Sequence, residues 1–107
     1  MTLSPRIRGS LRQRSDGWCE RCGLARATNA HHRKNRSQGG GDELSNLLHL
    51  CGSGTTGCHG YVTEHPAEAY ENGWSVRSGG VPAEESVNYR GFRVRLDDLG
   101  NMWDVAA

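Results

Sequence analysis

Two cysteine pairs, Cys19-x2-Cys22 and Cys51-x6-Cys58, bracket the run Ala30-His31-His32-Arg33-Lys34, and a further histidine, His59, follows the last cysteine directly. Four thiolates on two loops are the donor set of a tetrahedral zinc site, because sulfur is a soft ligand and two knuckles can present four of them at about 2.3 Å from one ion. With no export signal at the N-terminus, the pairs read as metal ligands rather than disulfides. Four protein ligands leave no open coordination position, so this zinc is expected to be structural. The second pair is wider than the usual two-residue spacing, but Gly52-Ser53-Gly54-Thr55-Thr56-Gly57 holds three glycines and can fold back into a closed loop.

The histidines suggest different chemistry. On an extended backbone neighbouring side chains point to opposite faces, so His31 and His32 need not bind one ion. One can hold a metal while the other takes a proton from water, a task that suits imidazole because its pKa lies near neutrality. Between the histidine pair and the second knuckle come Gly39-Gly40-Gly41-Asp42-Glu43-Leu44-Ser45-Asn46 and then the apolar Leu47-Leu48.

A His, an Asn and a second His in this order between paired cysteines, over residues 19–64, resembles the HNH endonuclease family. More narrowly, residues 48–60 (LHLCGSGTTGCHG) resemble small HNH proteins encoded by bacteriophages of actinobacteria, some of them near packaging genes. The likeness extends thinly into Tyr70-Glu71-Asn72-Gly73-Trp74, Arg90-Gly91-Phe92 and Leu96-Asp97-Asp98. The resemblance implies an α+β fold: a small zinc-stapled ββα-metal domain, treble-clef-like, with a basic N-terminal helix or arm and a C-terminal β-hairpin. It assigns His32 as general base and His31 and His59 as ligands of a catalytic divalent ion. Asn46 would brace the loop that bears the base, or orient its imidazole. The ion would stabilise charge on a non-bridging phosphate oxygen and the 3′ leaving oxygen, giving 5′-phosphate and 3′-hydroxyl ends. Where family members carry a third metal-binding histidine one helical turn past the second, this chain has Thr63. Water and phosphate would then complete the shell, which suits Mg2+, Mn2+, Ni2+ or Zn2+.

Charge points to the same class of ligand. Residues 1–36 hold nine Lys and Arg against Asp16 and Glu20, a balance of +7, while the remaining residues hold four Arg against ten acids, a balance of −6. Such sign separation suggests a polyanion on one face. Arg33, Lys34 and Arg36 follow the proposed base and are expected to reach the phosphodiester backbone, with Arg12 and Arg14 lining the approach. His49, between Leu48 and Leu50, is expected to be structural or to contact phosphate, and His65, beside Pro66, to cap a helix. The glycines at 39–41 are expected to close the loop between two strands.

The elements that must position these groups are short. In 107 residues, 35% hydrophobic, with fifteen glycines and a mean hydropathy of −0.72, one domain with a modest core is expected. No apolar run approaches a membrane span, and no hydrophobic stretch follows the basic N-terminus, so a cytoplasmic location is expected. Ser4-Pro5 reads as the cap and first residue of a helix ending at Asp16-Gly17. Residues 27–33 and 44–50 should form two strands flanking a polar loop at 34–43. A helix over 59–64 should break at His65-Pro66, and a second should stop at Asn72-Gly73. Alternation at 74–78 and 92–96, then a turn at 97–101 leading to 102–105, reads as a hairpin over 73–107 appended to a core at 18–72.

The expected partner is double-stranded DNA, with a phage terminase or portal implied by the narrower likeness, and the chain is expected to be a monomer or weak oligomer. Two rivals stand beside the endonuclease. A non-catalytic, zinc-ribbon-like nucleic-acid-binding module explains the knuckles and the basic half, but not His31, His32, Asn46 and His59 as a set. A packaging accessory protein would use the acidic C-terminal half for docking.

Overall fold

A computed structural model describes residues 3–105. The first helix, α1 (Pro5–Ser15), begins as its sequence dictates: the Ser4 hydroxyl accepts the Ile7 N–H at 3.2 Å, and Pro5 occupies the first turn, where its missing N–H costs nothing. It ends at Asp16, which adopts the left-handed conformation at φ 56°.

Strands β1 (Asn29–His32) and β2 (Leu47–Leu50) form an antiparallel ribbon in which His31 faces Leu48 and Ala30 faces His49. Side chains alternate, so the ribbon has two unlike faces. Ala30, His32, Leu47 and His49 lie on one, and His31, Leu48 and Leu50 on the other. The first face is covered by α1, through a small cluster of Leu3, Ile7, Leu11, Leu44, Leu47 and Ala30. The second is buried in the main core, where Leu48 and Leu50 meet Val62, Ala69 and Trp74. The second strand is shorter than expected. Residues Leu44–Asn46 form a single 3-10 turn instead, because the Asn46 N–H is drawn back to the Glu43 carbonyl while its own carbonyl accepts the Arg33 N–H.

Beyond the second knuckle, α2 (Gly57–Glu64) and α3 (Pro66–Glu71) meet at His65, as the His65-Pro66 pair anticipates. The knuckle loop closes where Gly52 (φ 87°) and Gly57 (φ 61°) face each other, and a Cβ on Gly52 would collide with the Thr56 carbonyl. Two of the three loop glycines thus do what was expected; Gly54 faces open space. In the other loop a Cβ on Gly40 would strike the Lys34 carbonyl, so that glycine lets the loop between β1 and β2 fold flat on itself.

The C-terminal region departs most from expectation. It is not an appended hairpin but a three-stranded antiparallel sheet of β3 (Val87–Tyr89), β4 (Phe92–Leu96) and β5 (Met102–Asp104), and its inner side chains belong to the main core. Residues 74–78 form no strand. Trp74 is buried and donates its indole N–H to Asn88, and the Val76 N–H donates to the Arg33 carbonyl. The β3–β4 turn is Arg90-Gly91, both at positive φ, the geometry favoured in two-residue hairpins. From this turn the Arg90 guanidinium donates to the carbonyls of Ser15, Trp18 and Cys19, each at 3.0 Å, and so clamps the first knuckle. No boundary at residue 72 separates core from tail. Among the described residues no helix is long and apolar enough to cross a membrane.

Candidate functional site

The fold brings both knuckles together. All four cysteines are free thiols, and their sulfurs lie within 4.8 Å of one another. A tetrahedron with bonds of about 2.3 Å has edges of about 3.8 Å, so the cluster needs little adjustment to hold a structural metal such as zinc. Every sulfur also faces an N–H donor, the arrangement that favours thiolate: Arg21 N–H to Cys19, Leu24 N–H to Cys22 and Cys58 N–H to Cys51 at 3.4 Å, and the Arg21 guanidinium to Cys58 at 3.2 Å. Burial pushes the Cys58 thiol up to about 12, whereas Cys19, though desolvated, is brought down to about 7 by the N–H groups around it. A divalent cation would let four such sulfurs share this volume as thiolates. Arg21 was not singled out by its position in the sequence. Its guanidinium is held between the rings of Tyr61 (4.2 Å) and Trp74 (4.3 Å), which only the packing of α2 against residue 74 could reveal.

On the main-core face of the ribbon, His31 meets His59 at the start of α2, with ring centroids 5.4 Å apart and edge to face. His31 Nε2–H donates to the Trp74 carbonyl at 2.8 Å, which leaves Nδ1 with the lone pair. Burial lowers the His31 pKa to about 4, so the ring is neutral at neutral pH; desolvation lowers His59 as well. His59 Nδ1 is buried with no hydrogen-bond partner. An orphaned polar atom of this kind costs about 1–3 kcal/mol, and beside a second neutral imidazole it is suited to a cation. The pair offers two nitrogens, and the only cluster of three or more metal-binding side chains among the described residues is the four-cysteine one. A metal at the histidines would therefore take the rest of its ligands from water or substrate.

His32 turns to the opposite face. Its Nε2–H donates to Asp42 Oδ1 at 2.9 Å, and the same oxygen accepts from Arg36 at 2.7 Å. The hydrogen bond from His32, and then the Arg36 guanidinium, hold the Asp42 carboxyl below its usual range despite slight desolvation. Asp42 is a site residue that sequence reading passed over, although it stands in the run beside the glycines. No local pattern says that a carboxylate ten residues from His32 folds back onto it.

Asn46 is fully buried and binds the loop from inside. Its Oδ1 accepts the Lys34 N–H at 2.8 Å, and its Nδ2–H donates to the carbonyls of Lys34 and Gly41. Of the two roles considered for it, the geometry is that of a brace across the loop carrying Asp42, with no contact to the His32 ring.

The basic residues divide sharply. Arg33, expected to touch phosphate, is 2% exposed and gives its guanidinium to the carbonyls of Gly73, Ser45, Pro82 and Glu85. Desolvation, with repulsion from Arg14, lowers it to about 10. Arg14 is also internal. It pairs with the buried Glu20 at 2.8 Å and donates to the carbonyls of Leu44 and Leu47. Both assignments to nucleic acid are corrected, because neither guanidinium has a free donor at the surface. Lys34 is half-buried with Nζ on the Gly80 carbonyl. Arg36 and Arg12 are exposed. His49 Nδ1 hydrogen-bonds Ser15 Oγ at 2.7 Å, which tethers α1 to the ribbon. His65 Nδ1 bonds the Tyr61 carbonyl at the end of α2, the capping place expected of it.

Comparison of the chain with models of protein families, with curated proteins and with solved structures finds no match.

Proposed function

We propose that this protein is a metal-dependent, HNH-type endonuclease that hydrolyses DNA phosphodiester bonds, with zinc in the four-cysteine cluster as its structural staple. What supports this most is the partnerless, buried Nδ1 of His59 set against the neutral ring of His31, one strand position from a histidine–carboxylate couple. The other buried side-chain nitrogen without a hydrogen-bond partner among the described residues, Arg21 Nε, lies between two aromatic rings, whereas His59 Nδ1 stands beside a second imidazole. In this reading His31 and His59 hold the divalent ion, which when bound stabilises negative charge developing on the phosphate and on the leaving oxygen. Asp42 keeps the proton of His32 on Nε2, so that Nδ1 carries the lone pair and takes the proton of the attacking water. Arg36 anchors Asp42 from the solvent side, and Asn46 holds the loop that carries it.

The test is nicking of supercoiled plasmid with Mg2+, Mn2+ or Ni2+ added. His32→Ala is expected to lower the rate about 100- to 10,000-fold while leaving zinc content unchanged and unfolding cooperative. If well-folded, zinc-loaded wild type leaves the plasmid intact with every metal, catalysis is refuted. A non-catalytic nucleic-acid-binding module then leads, a reading favoured by one observation: His31 and His32 each already have an internal partner, in Trp74 and Asp42.

A further inference from the structure

A second site lies on the α1 face of the ribbon. A cleft of about 600 Å3 opens between α1 and the start of β1, and Arg8, Arg12, Arg26, Thr28 and His49 contribute to its walls. Four other guanidiniums in the molecule are committed to internal partners: Arg14 to Glu20, Arg33 and Arg90 to carbonyls, Arg21 to two rings and a sulfur. Among the described residues Arg8, Arg12 and Arg26 have no ion-pair partner, since the pairs present are Arg14–Glu20, His32–Asp42 and Arg36–Asp42. Arg8 and Arg12 stand one helical turn apart, where like charges repel, and no carboxylate relieves them. Arg26 reaches the cleft from the far side, its guanidinium stacked on the half-exposed Trp18 ring at 4.6 Å and lying over Gly17. That stacking orients a planar fork of donors before any ligand arrives.

The cleft also leads toward the proposed base. Ala30 lies on its wall, and His32, two residues further along β1, shares the same face of the ribbon, roughly 7 Å on by strand geometry. We propose that this cleft binds the phosphodiester backbone of the DNA and sets the strand along the ribbon toward His32. Arg8, Arg12 and Arg26 are the phosphate contacts, taking the role first expected of Arg14 and Arg33. The proposal rests on the endonuclease reading for its class of ligand, but its test needs no cleavage.

The experiment measures binding of a short fluorescein-labelled DNA duplex to the zinc-loaded full-length protein by anisotropy, without added divalent metal, between about 50 and 200 mM salt. Arg8→Gln, Arg12→Gln and Arg26→Gln are made singly and together. Arg95→Gln, exposed on the outer face of β4, removes the same charge elsewhere. The triple variant is expected to bind about 10- to 1,000-fold more weakly, with the log–log salt slope shallower by about one for each arginine lost, and Arg95→Gln is expected to bind like wild type. Wild-type affinity and slope in a folded, zinc-loaded triple variant overturn the proposal, as does a loss in Arg95→Gln equal to that in Arg12→Gln. Displacement of the duplex by poly-glutamate at equal charge overturns it in favour of an acidic protein segment. A plasmid left intact by wild type would refute the endonuclease while this binding result stood or fell by itself.

Discussion

The sulfur cluster and the histidine pair are neighbours along the chain at Cys58-His59, yet they are built oppositely. Around the sulfurs every acceptor has a donor: three backbone N–H groups and one guanidinium serve the four cysteines, Arg90 closes the first knuckle from outside, and only Arg21 Nε, between its two rings, goes without a partner. At the histidines two rings stand edge to face with centroids 5.4 Å apart, and one buried ring nitrogen has no partner at all. Satisfied polar groups lower the energy of the native state, whereas an unsatisfied one is a cost that a ligand can relieve. In the proposed reading the first arrangement is the staple and the second the place where a catalytic ion would bind. A similar split separates Arg14, Arg33 and Arg90, locked among carbonyls, from Arg8, Arg12 and Arg26, which have no ion-pair partner among the described residues.

The comparison breaks most visibly at the staple. Cys51→Ser should abolish cooperative unfolding and the fixed environment of the tryptophans, because metal binding in a domain this small contributes about as much as its whole stability. Near-ultraviolet circular dichroism with a zinc assay reads this, and a cooperative melt in a zinc-free variant would show that the cluster is not structural. At the open site the expectation is reversed. His59→Ala should remove metal-stimulated nicking while the thermal midpoint stays level or rises, since the substitution also deletes the orphaned nitrogen and its burden of about 1–3 kcal/mol. A fall in midpoint as steep as that of Cys51→Ser would erase the distinction between the two centres.

Arg33→Met sharpens the comparison among the cations. Four carbonyls lose their shared donor, so unfolding should become easier by about 3 kcal/mol in a urea titration, with duplex affinity per folded molecule unchanged. Weaker binding at unchanged stability would return Arg33 to the surface role first expected of it. The smallest effect concerns Asp42. Its carboxyl is held below the ordinary value of about 3.9 by the hydrogen bond from His32, and then by Arg36, so the folded pKa lies below the unfolded one. The contact therefore contributes its full stability above the unfolded value, and loses it as pH falls through the folded pKa. A carbon-detected NMR titration of Asp42 should give a midpoint below 3.9, and a midpoint at the ordinary value would mean the couple is not held in solution.

Much of the site could be read from residue types and spacing. The cap and proline of α1, the pairing of the two knuckles, the opposite facing of His31 and His32, the break at His65-Pro66 and the loop-closing glycines all follow from local stereochemistry. Each depends on a handful of consecutive residues or on a ligand preference that holds in any fold. The misreadings share the opposite property. The strand at 87–89 has too few residues to show a period, and the alternation at 74–78 belongs to a connector that buries only Trp74 and Val76, where Trp74 donates to an asparagine carbonyl and accepts from a histidine.

What residue order alone determined, then, is the inventory: four sulfurs in two loops, histidines placed to face opposite ways, an asparagine ahead of the second strand, and a surplus of positive charge in the first third of the chain. Tertiary structure decided the assignments. Glu20, Asp42 and the carbonyls around Arg33 come from 6 to 52 residues away along the chain, and they determine which cations are spent inside and which histidine gains a carboxylate. A guanidinium carries the same charge in either place. Whether it meets a carbonyl or water depends on which chain segments fold over it, and that is settled by burial of Leu48, Leu50, Val87 and Leu96 in one core rather than by anything local to the arginine.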